Sequence, residues 1–347
     1  MVRNRKVFKK TVSIVNEKST DMYESLVGDK KGFLLESYDK NYDRYTFFGM
    51  EPEEIVTSRG NALVITKADG TEEVREGNPL ERLKEYYSEF HIEKEDEELS
   101  FSGGLVGNLG YDFVRYSEVL PDNNPDEIGI ETIQMMLMTS FLMVDHVAET
   151  LTAVVLEEPS EEGREQAMEK AGQMIKKAME KKECKRNFYH DGKIIKKSDS
   201  IEEYGEKVEK IKHYIREGHV FQTVLSQRWT IETRQTGFEL YKELRELNPS
   251  PYLYYFNYGT FEVIGSSPEM IVKKQGNKVF TCPIAGTRKR GKDEAEDKRL
   301  RDELLSDEKE RAEHVMLVDL ARNDMGRISE FGTVKVTQFM EVQNYSH

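Results

Sequence analysis

The feature that most constrains this fold is a long apolar segment near the middle of the chain. Residues 132–158 read TIQMMLMTSFLMVDHVAETLTAVVLEE, and the main polar interruption lies at residues 145–150. Apolar runs of strand length on either side of a polar turn are typical of buried strands. The segment therefore predicts two neighbouring core strands that are joined between Asp145 and Thr150.

Shorter strands are predicted before this segment. Residues 32–38 (GFLLESY) are mostly apolar, and residues 62–76 contain the hairpin signal Asp69-Gly70. Four glycines between residues 103 and 110 indicate bends or close backbone approach, but the Gly-Lys-Ser/Thr ending of a phosphate-binding loop is absent. A chain of 347 residues with this content predicts two domains or one intertwined α/β body.

The charge balance argues against two classes of partner. The chain has 65 acidic and 51 basic residues and a formal net charge of −14, so it lacks the basic character of a nucleic-acid-binding protein and an anionic membrane would repel it. The two cysteines, Cys184 and Cys282, offer neither a disulfide framework nor zinc-ligand spacing. Neither an export signal nor a membrane-spanning run is present. We therefore expect a soluble, cytoplasmic protein.

Two helices are predicted where the sequence becomes strongly charged. Residues 157–186 are rich in Glu, Lys, Ala and Met and predict a solvated helix at a domain boundary. Ser200 and Glu203 form a capping box that begins the second helix, and Gly218 ends it. The first helix has an apolar stripe of Met168, Ala171, Ile175 and Ala178, and the second has a core face of Tyr204, Val208, Ile211 and Ile215.

The following segment, residues 219–233 (HVFQTVLSQRWTIET), is predicted to be a strand with one unusually polar face. Gln222, Ser226 and Arg228 share this face with Val224. A buried network of hydrogen bonds or a strand that faces a ligand would each explain the polarity. The residues alone leave both alternatives open.

Residues 283–291 (PIAGTRKRG) combine a proline, small residues and three cations. Pro283 ends strand pairing because it has no N–H donor. Ala285, Gly286 and Thr287 expose backbone N–H groups to which a carboxylate or phosphate can bind, although a plain tight turn is the alternative. The cations are either a solvated loop or a source of positive potential near an anionic ligand.

A helix is predicted from Ser306 to about Asn323, with Glu310 and Glu313 three residues apart on one face. Mg²⁺ is usually held by one or two carboxylates together with substrate oxygens and water, so the two glutamates are candidate Mg²⁺ ligands. A solvated, salt-bridged helix surface is the alternative.

Seven motifs, in order along nearly the whole chain, resemble the large (aminase) subunits of anthranilate synthase, which are chorismate-utilizing enzymes. The motifs are FLLES, GGLVGNLGYD, GHVFQTVLSQRW, NPSPY, GSSPE, PIAGTRKRG and DEKERAEHVMLVDLARNDMGRIS. The resemblance implies an α/β (α+β) fold in which two large, mainly antiparallel sheets pack face to face with helices outside. It also implies an N-terminal regulatory domain (1–156), a charged helical linker (157–198) and a chorismate-binding catalytic domain (199–347).

The resemblance implies Mg²⁺-dependent conversion of chorismate to anthranilate and pyruvate, the first step of tryptophan biosynthesis. A glutamine amidotransferase subunit supplies the ammonia in that family. Gly286 and Thr287 match residues that contact the substrate, Glu313 matches a Mg²⁺ ligand, and Glu310 matches its carboxylate neighbour.

Two positions separate this sequence from sister enzymes. Isochorismate and salicylate synthases carry a base-forming lysine where Gln222 stands, and aminodeoxychorismate synthases often carry a nucleophilic lysine where Ala285 stands. Ammonia is already a nucleophile and needs no such base. Gln222 and Ala285 are therefore the catalytic-site residues that indicate direct attack of ammonia on the ring.

Two segments resemble those that bind the feedback inhibitor tryptophan. A structural turn and strand end is the alternative explanation of both segments. The matching residues are Leu35, Glu36, Ser37, Asn248, Pro249, Ser250, Pro251 and Tyr252.

Members of the family continue past the point that matches the end of this chain, and the resemblance assigns further catalytic residues to that part. We therefore expect the 347 residues alone to be incomplete in the catalytic domain and inactive. Two other functions stay open, namely an aminodeoxychorismate synthase and a non-catalytic remnant that binds tryptophan or docks on an amidotransferase.

Overall fold

The computed structural model describes residues 2–345 except 16, 38–43, 94–98, 100 and 181–190. Its strands are, in chain order, β1 (Arg3–Ser13), β2 (Gly32–Glu36), β3 (Tyr45–Met50), β4 (Glu54–Ser58), β5 (Ala62–Lys67), β6 (Glu72–Glu76), β7 (Phe90–Glu93), β8 (Gly104–Leu109), β9 (Ile133–Met138), β10 (Ser140–Asp145), β11 (Thr150–Glu157), β12 (Lys193–Lys197), β13 (Trp229–Glu232), β14 (Tyr252–Asn257), β15 (Glu262–Ser267), β16 (Met270–Gln275) and β17 (Lys278–Cys282). The helices are α1 (Ser19–Leu26), α2 (Pro79–Ser88), α3 (Glu161–Ala178), α4 (Ile201–Arg216), α5 (Gly237–Leu247), α6 (Glu294–Ser306) and α7 (Glu308–Gly326), with a 3-10 helix at Tyr111–Tyr116. Cys184 lies outside the described residues, and Cys282 is an exposed free thiol.

Two large sheets belong to the first compact unit, Met1–Glu183 with Tyr241–His347. The larger has the strand order β15-β14-β2-β3-β10-β11-β1-β7, and its neighbours are antiparallel except for the parallel pair β1 and β7. The smaller has the order β6-β5-β4-β9-β8 and is antiparallel throughout. Most of the β structure therefore lies in two mainly antiparallel sheets.

A shared core shows that the two sheets face each other. Phe33, Phe141 and Phe256 of the larger sheet lie in one buried cluster with Met136 and Met138 of the smaller sheet. Helices α1 and α3 pack against the larger sheet, and α2 packs against strands β5, β6 and β7. The predicted fold, with two large sheets face to face and helices outside, is confirmed.

The central apolar segment forms three strands rather than the predicted two. β10 and β11 are the predicted pair, and Asp145 Oδ1 accepts hydrogen bonds from the N–H groups of Val147 and Ala148 at 3.0 Å each in the turn between them. β9 precedes them and belongs to the smaller sheet, so the chain passes from one sheet to the other at Thr139. The long apolar run therefore supplies buried strands to both sheets.

Helix α3 differs from the predicted solvated helix because one of its faces is buried. Ala171, Ile175 and Ala178 of the predicted stripe are buried, whereas Met168 is exposed. Ser160 caps the first turn by accepting a hydrogen bond from the Gly163 N–H at 3.0 Å. The buried face packs on β1 and β11, so α3 covers the outer side of the larger sheet.

The second compact unit, Cys184–Leu240, contains α4 and the antiparallel pair β12 and β13. The predicted capping box is confirmed, since the Glu203 N–H donates to Ser200 Oγ at 3.2 Å and the Ser200 N–H donates to Glu203 Oε2 at 2.8 Å. The predicted core face of α4 is the least exposed face of the helix, since Tyr204, Val208 and Ile211 are its half-buried residues. None of the α4 residues is fully buried, and Ile215 is exposed.

The predicted strand over residues 219–233 is correct only for β13. Residues 219–228 have no regular secondary structure, and none of the described strands forms a ladder with them. A strand requires a partner for its backbone N–H and C=O groups, and alternation of side chains cannot supply one. The polar face that included Gln222 and Arg228 is exposed, so it is not a buried network here.

The larger sheet draws on both predicted domains, because β14 pairs directly with β2. The regulatory (1–156), linker (157–198) and catalytic (199–347) assignments stay a prediction, and the compact units have other bounds. None of the helices in the described ranges combines the length and the apolar character that crossing a membrane requires.

Candidate functional site

The turn that follows β17 lies against the two C-terminal helices. Gly286 has φ of +76°, a conformation that side chains with a Cβ rarely adopt. A Cβ placed on Gly286 would lie 3.1 Å from Glu310 Oε2 and 3.2 Å from Leu304 Cδ1. The small-residue turn and the carboxylate of Glu310 are therefore in direct contact, which brings together two of the sequence-predicted elements of the site.

Glu310 occupies the first turn of α7, and the cap of that helix fixes where the turn begins. Asp307 Oδ1 accepts hydrogen bonds from the N–H groups of Lys309 at 3.0 Å and Glu310 at 3.1 Å. The Glu310 N–H and the Arg288 guanidinium together hold the pKa of Asp307 below its usual value. Asp307 is consequently an ionised cap, and an anion at a helix N-terminus is favoured by the helix dipole.

Arg288 joins the turn to both helices. Its guanidinium donates to Glu303 at 3.0 Å, to Asp307 at 2.8 Å and to Glu310 at 3.2 Å. Arg290 is paired separately with Asp297 at 2.6 Å. These two arginines of the PIAGTRKRG segment are therefore engaged with carboxylates of the same chain.

The two candidate metal ligands are Glu310 and Glu313, both half-buried on α7. The described residues contain no cluster of three or more His, Cys, Asp or Glu side chains arranged for a metal. A site with one or two carboxylates is nevertheless what Mg²⁺ requires when substrate oxygens and water complete its coordination. Glu310, whose Oε2 lies 3.1 Å from the position that a Cβ on Gly286 would occupy, fits such a site.

The two segments predicted to bind tryptophan meet where β2 pairs with β14. Glu36 lies opposite Leu253, and Leu35 lies opposite Tyr254. Ser37 follows directly after β2, and its Oγ is buried without a hydrogen-bond partner among the described residues. The two segments are adjacent in the sheet although they are more than two hundred residues apart in sequence.

Glu36 is a buried carboxylate with two donors from α5. Tyr241 Oη donates to Glu36 Oε2 at 2.6 Å, and Arg245 Nε donates to the same oxygen at 3.0 Å. Burial and the nearby Glu36 carboxylate raise the pKa of Tyr241 well above its usual value. The hydroxyl of Tyr241 therefore stays protonated and remains a donor to Glu36 over the whole physiological pH range.

Residues 248–252 form the loop between α5 and β14. Ser266 Oγ lies 2.7 Å from the carbonyl oxygen of Asn248 and 2.8 Å from Ser250 Oγ, so β15 anchors this loop. Pro251 is buried, Pro249 is half-buried and Tyr252 is exposed. The loop therefore has a fixed backbone with an aromatic side chain at its surface.

Of the remaining predicted site residues, Ala285 is half-buried and Thr287 is exposed in the turn. Gln222 belongs to the other compact unit, in the segment without regular structure. Sequence reasoning missed Tyr241 and Arg245. Their i, i+4 spacing on one face of α5 is the signal that could have revealed them.

Comparison with known proteins identifies the family. A family described as chorismate binding enzyme matches residues 32–347. Anthranilate synthase component 1 of Acetivibrio thermocellus is 40% identical over 91% of this chain and 66% of its own length, and the protein of that name from Aquifex aeolicus is 40% identical over 90% and 65%.

The comparison with solved structures finds a protein of the same name as the sequence relatives. The crystal structure of anthranilate synthase component I from Streptococcus pneumoniae TIGR4 superposes with a TM-score of 0.76 at 33% identity, covering 87% of this chain and 66% of that one. The chain thus spans about two thirds of the length of these relatives. The family resemblance seen in the sequence is confirmed, and this chain belongs to the chorismate-binding enzyme family.

Proposed function

We propose that this chain is the chorismate-binding component of an anthranilate synthase. The observation that carries the proposal is the contact between the Gly286 turn and the Glu310 carboxylate, because it unites an anion-binding backbone with a candidate metal ligand. The relatives named anthranilate synthase component 1 support the same reaction class. To that activity these residues would contribute the turn and the α7 glutamates.

In the proposed site, the N–H groups of the turn and the Thr287 hydroxyl bind a substrate carboxylate. Backbone donors that lack bulky side chains suit an approaching anion. Glu313 and Glu310 would hold Mg²⁺, which when bound supplies positive charge to substrate oxygens. The role of these two side chains is therefore to fix that charge beside the turn.

The proposed amination is direct. Ammonia forms a bond to ring C2, the double bonds shift and the C4 hydroxyl leaves as water, and loss of the C2 proton with the pyruvyl group as pyruvate then gives anthranilate. Ala285 has no amine that could attack the ring first, and Gln222 is not a base that could activate water. A glutamine amidotransferase subunit would supply the ammonia, and a cytoplasmic location is part of the same proposal.

Feedback inhibition by tryptophan is proposed at the junction of β2 and β14. The adjacency of the two segments supports it, as does the buried hydroxyl of Ser37, which lacks a partner among the described residues. Tyr252 would contribute an exposed aromatic face. The ligand-facing groups would therefore come from both segments.

The test uses the full-length natural gene product with chorismate, Mg²⁺ and ammonium. We expect anthranilate fluorescence, and we expect Glu313→Gln to abolish it while Glu308→Gln, an exposed glutamate on the same helix, retains it. Formation of aminodeoxychorismate instead would show that the chain is an aminodeoxychorismate synthase.

The second test measures tryptophan binding by calorimetry on the same product. We expect binding that is lost in Ser37→Ala, with inhibition of anthranilate formation at the same concentrations. Binding without any turnover would support the non-catalytic tryptophan-binding remnant, and absence of binding would refute the proposed inhibitor site.

A further inference from the structure

Among the described residues of the segment 283–291, Arg288 is the one that bonds to three acidic side chains, which lie in α6, in α7 and at the junction between them. Its Nε bonds to Glu303 near the end of α6, its Nη2 bonds to the cap residue Asp307, and its Nη1 bonds to Glu310. Nη1 also donates to the carbonyl oxygen of Thr287 at 2.9 Å. A single planar side chain therefore spans the turn, the junction of the two helices and a candidate metal ligand.

The two oxygens of Glu310 have different surroundings. Oε1 accepts the bond from Arg288, and Oε2 lies 3.1 Å from the position that a Cβ on Gly286 would occupy. The bond to Oε1 therefore restrains the rotation of the carboxylate while Oε2 lies close to the Gly286 turn. Rotation about the terminal torsion of a glutamate is otherwise broad.

The chemistry of this contact depends on arginine rather than on positive charge alone. A guanidinium offers several N–H donors in a rigid fork, whereas the ammonium group of lysine is a point charge on a flexible stem. One cation also faces three carboxylates, so the cluster stays net negative. Arg288 consequently orients acids that it does not fully neutralise.

We propose that Arg288 is a positioning residue for the carboxylate of Glu310, a candidate metal ligand, which it holds beside the Gly286 turn while it is itself anchored by its bonds to Glu303 and Asp307. This inference rests on the proposed function, because it concerns the same pair of glutamates. Groups that orient metal ligands are typically worth about 10- to 100-fold in metal affinity. Arg288 would therefore set the affinity of the site without touching the metal.

The test measures Mn²⁺ affinity of the full-length natural product by electron paramagnetic resonance, which does not require turnover. Arg288→Lys keeps the positive charge but loses the planar set of N–H donors, and we expect Mn²⁺ to bind about ten-fold more weakly. Arg288→Gln makes the cluster more negative, so a purely electrostatic role predicts tighter binding, whereas positioning predicts weaker binding. Arg290→Lys is the matched control, because Arg290 lies in the same segment but bonds to Asp297, and it should retain the wild-type affinity.

The outcomes separate this inference from the proposed function. Absence of Mn²⁺ binding in the wild-type protein would refute the metal site and the inference together. Wild-type binding with unchanged affinity in Arg288→Lys, or tighter binding in Arg288→Gln, would overturn the inference alone. Failure of both variants to fold, judged by circular dichroism, would also overturn it, since Arg288 would then be required for folding.

Discussion

Two glutamates of this chain are each held by an arginine, but their surroundings differ. The Glu36–Arg245 pair has a distance of 3.0 Å and lies at the edge of the β2–β14 junction, and the Glu310–Arg288 pair has a distance of 3.2 Å in the first turn of α7. The side chain of Glu36 is 3% exposed, whereas that of Glu310 is 22% exposed. The carboxylate of the pair is therefore buried in one region and partly exposed to solvent in the other.

The difference indicates what each arginine does. A buried carboxylate that loses its partner keeps an uncompensated charge away from water, which is strongly destabilising. A carboxylate that keeps contact with water loses mainly its orientation when the partner is removed. Arg245 should therefore act on stability, and Arg288 should act on the geometry of the candidate active site.

The largest expected effect is on Arg245. Among the donors to Glu36 in the described residues, Arg245→Gln leaves the Tyr241 hydroxyl, and we expect the free energy of unfolding to fall by about 3 kcal/mol. Urea unfolding of the full-length product measures it. Arg288→Gln is the matched variant and should lower the free energy of unfolding by clearly less. Equal losses in the two variants would contradict the contrast between a buried and a hydrated pair.

The second prediction concerns the other donor to Glu36. Tyr241→Phe removes the hydroxyl that bonds to a buried carboxylate at 2.6 Å, and we expect a loss of about 2 kcal/mol at neutral pH. Tyr111→Phe is the control, because the side chain of Tyr111 is fully exposed. A loss in Tyr241→Phe no larger than that in Tyr111→Phe would show that the hydroxyl does not stabilise Glu36.

The third prediction follows from the raised pKa of Tyr241. In the unfolded chain tyrosine ionises near pH 10.0, whereas folded Tyr241 stays protonated well above that value. The stability that Tyr241 contributes is therefore fully present below pH 10.0 and is lost as the pH rises above it, by about 1.4 kcal/mol per pH unit. Above pH 10, Tyr241→Phe should lose stability less steeply than wild type. If the free energy of unfolding of the two proteins fell equally steeply above pH 10, the raised pKa of Tyr241 would be refuted.

The parts of the fold that sequence predicted are those with local signals. The Asp69-Gly70 hairpin lies between β5 and β6, and the capping box at Ser200 begins α4. The helix predicted from Ser306 to about Asn323 is α7, from Glu308 to Gly326. Turn chemistry and capping act within a few residues, so the sequence is sufficient to locate them.

The parts that sequence could not predict depend on partners far along the chain. The passage between the two sheets is marked in the sequence only by Thr139 and Ser140, which separate two buried apolar stretches without any Gly, Pro, Asn or Asp. Residues 219–228 have strand-like alternation but no ladder partner among the described strands. Arg245 and Glu36 are 209 residues apart, so their pairing appears only once β14 lies beside β2.

In the candidate site too, the features that are local in sequence were predicted and the contacts between distant segments were not. The motif predicted the small-residue turn and the two glutamates, because their chemistry is local to each segment. The motif did not predict that Arg288 would be paired with acids of α6 and α7, since the charges alone fit a free cationic loop equally well. Gly286 and Glu310 are in contact because of that packing.

The prediction with the smallest expected effect distinguishes the close approach of Gly286 and Glu310 from the strain of a positive φ. Gly286→Ala and Gly276→Ala each place a Cβ at positive φ, +76° and +57°, which costs roughly 1–2 kcal/mol of stability in both variants. A Cβ at Gly276 meets nothing within 4 Å, whereas a Cβ at Gly286 meets Glu310 Oε2.

Only Gly286→Ala should therefore move the carboxylate, and we expect Mn²⁺ affinity to fall about ten-fold in that variant and to stay at the wild-type value in Gly276→Ala. Urea unfolding should show a stability loss in both variants, and the loss should be larger in Gly286→Ala because its Cβ would also crowd Leu304 Cδ1. Equal Mn²⁺ affinity in the two variants would mean that the Gly286–Glu310 contact does not shape the metal site, and the contrast between an arginine that stabilises and an arginine that positions would then rest on Arg245 alone.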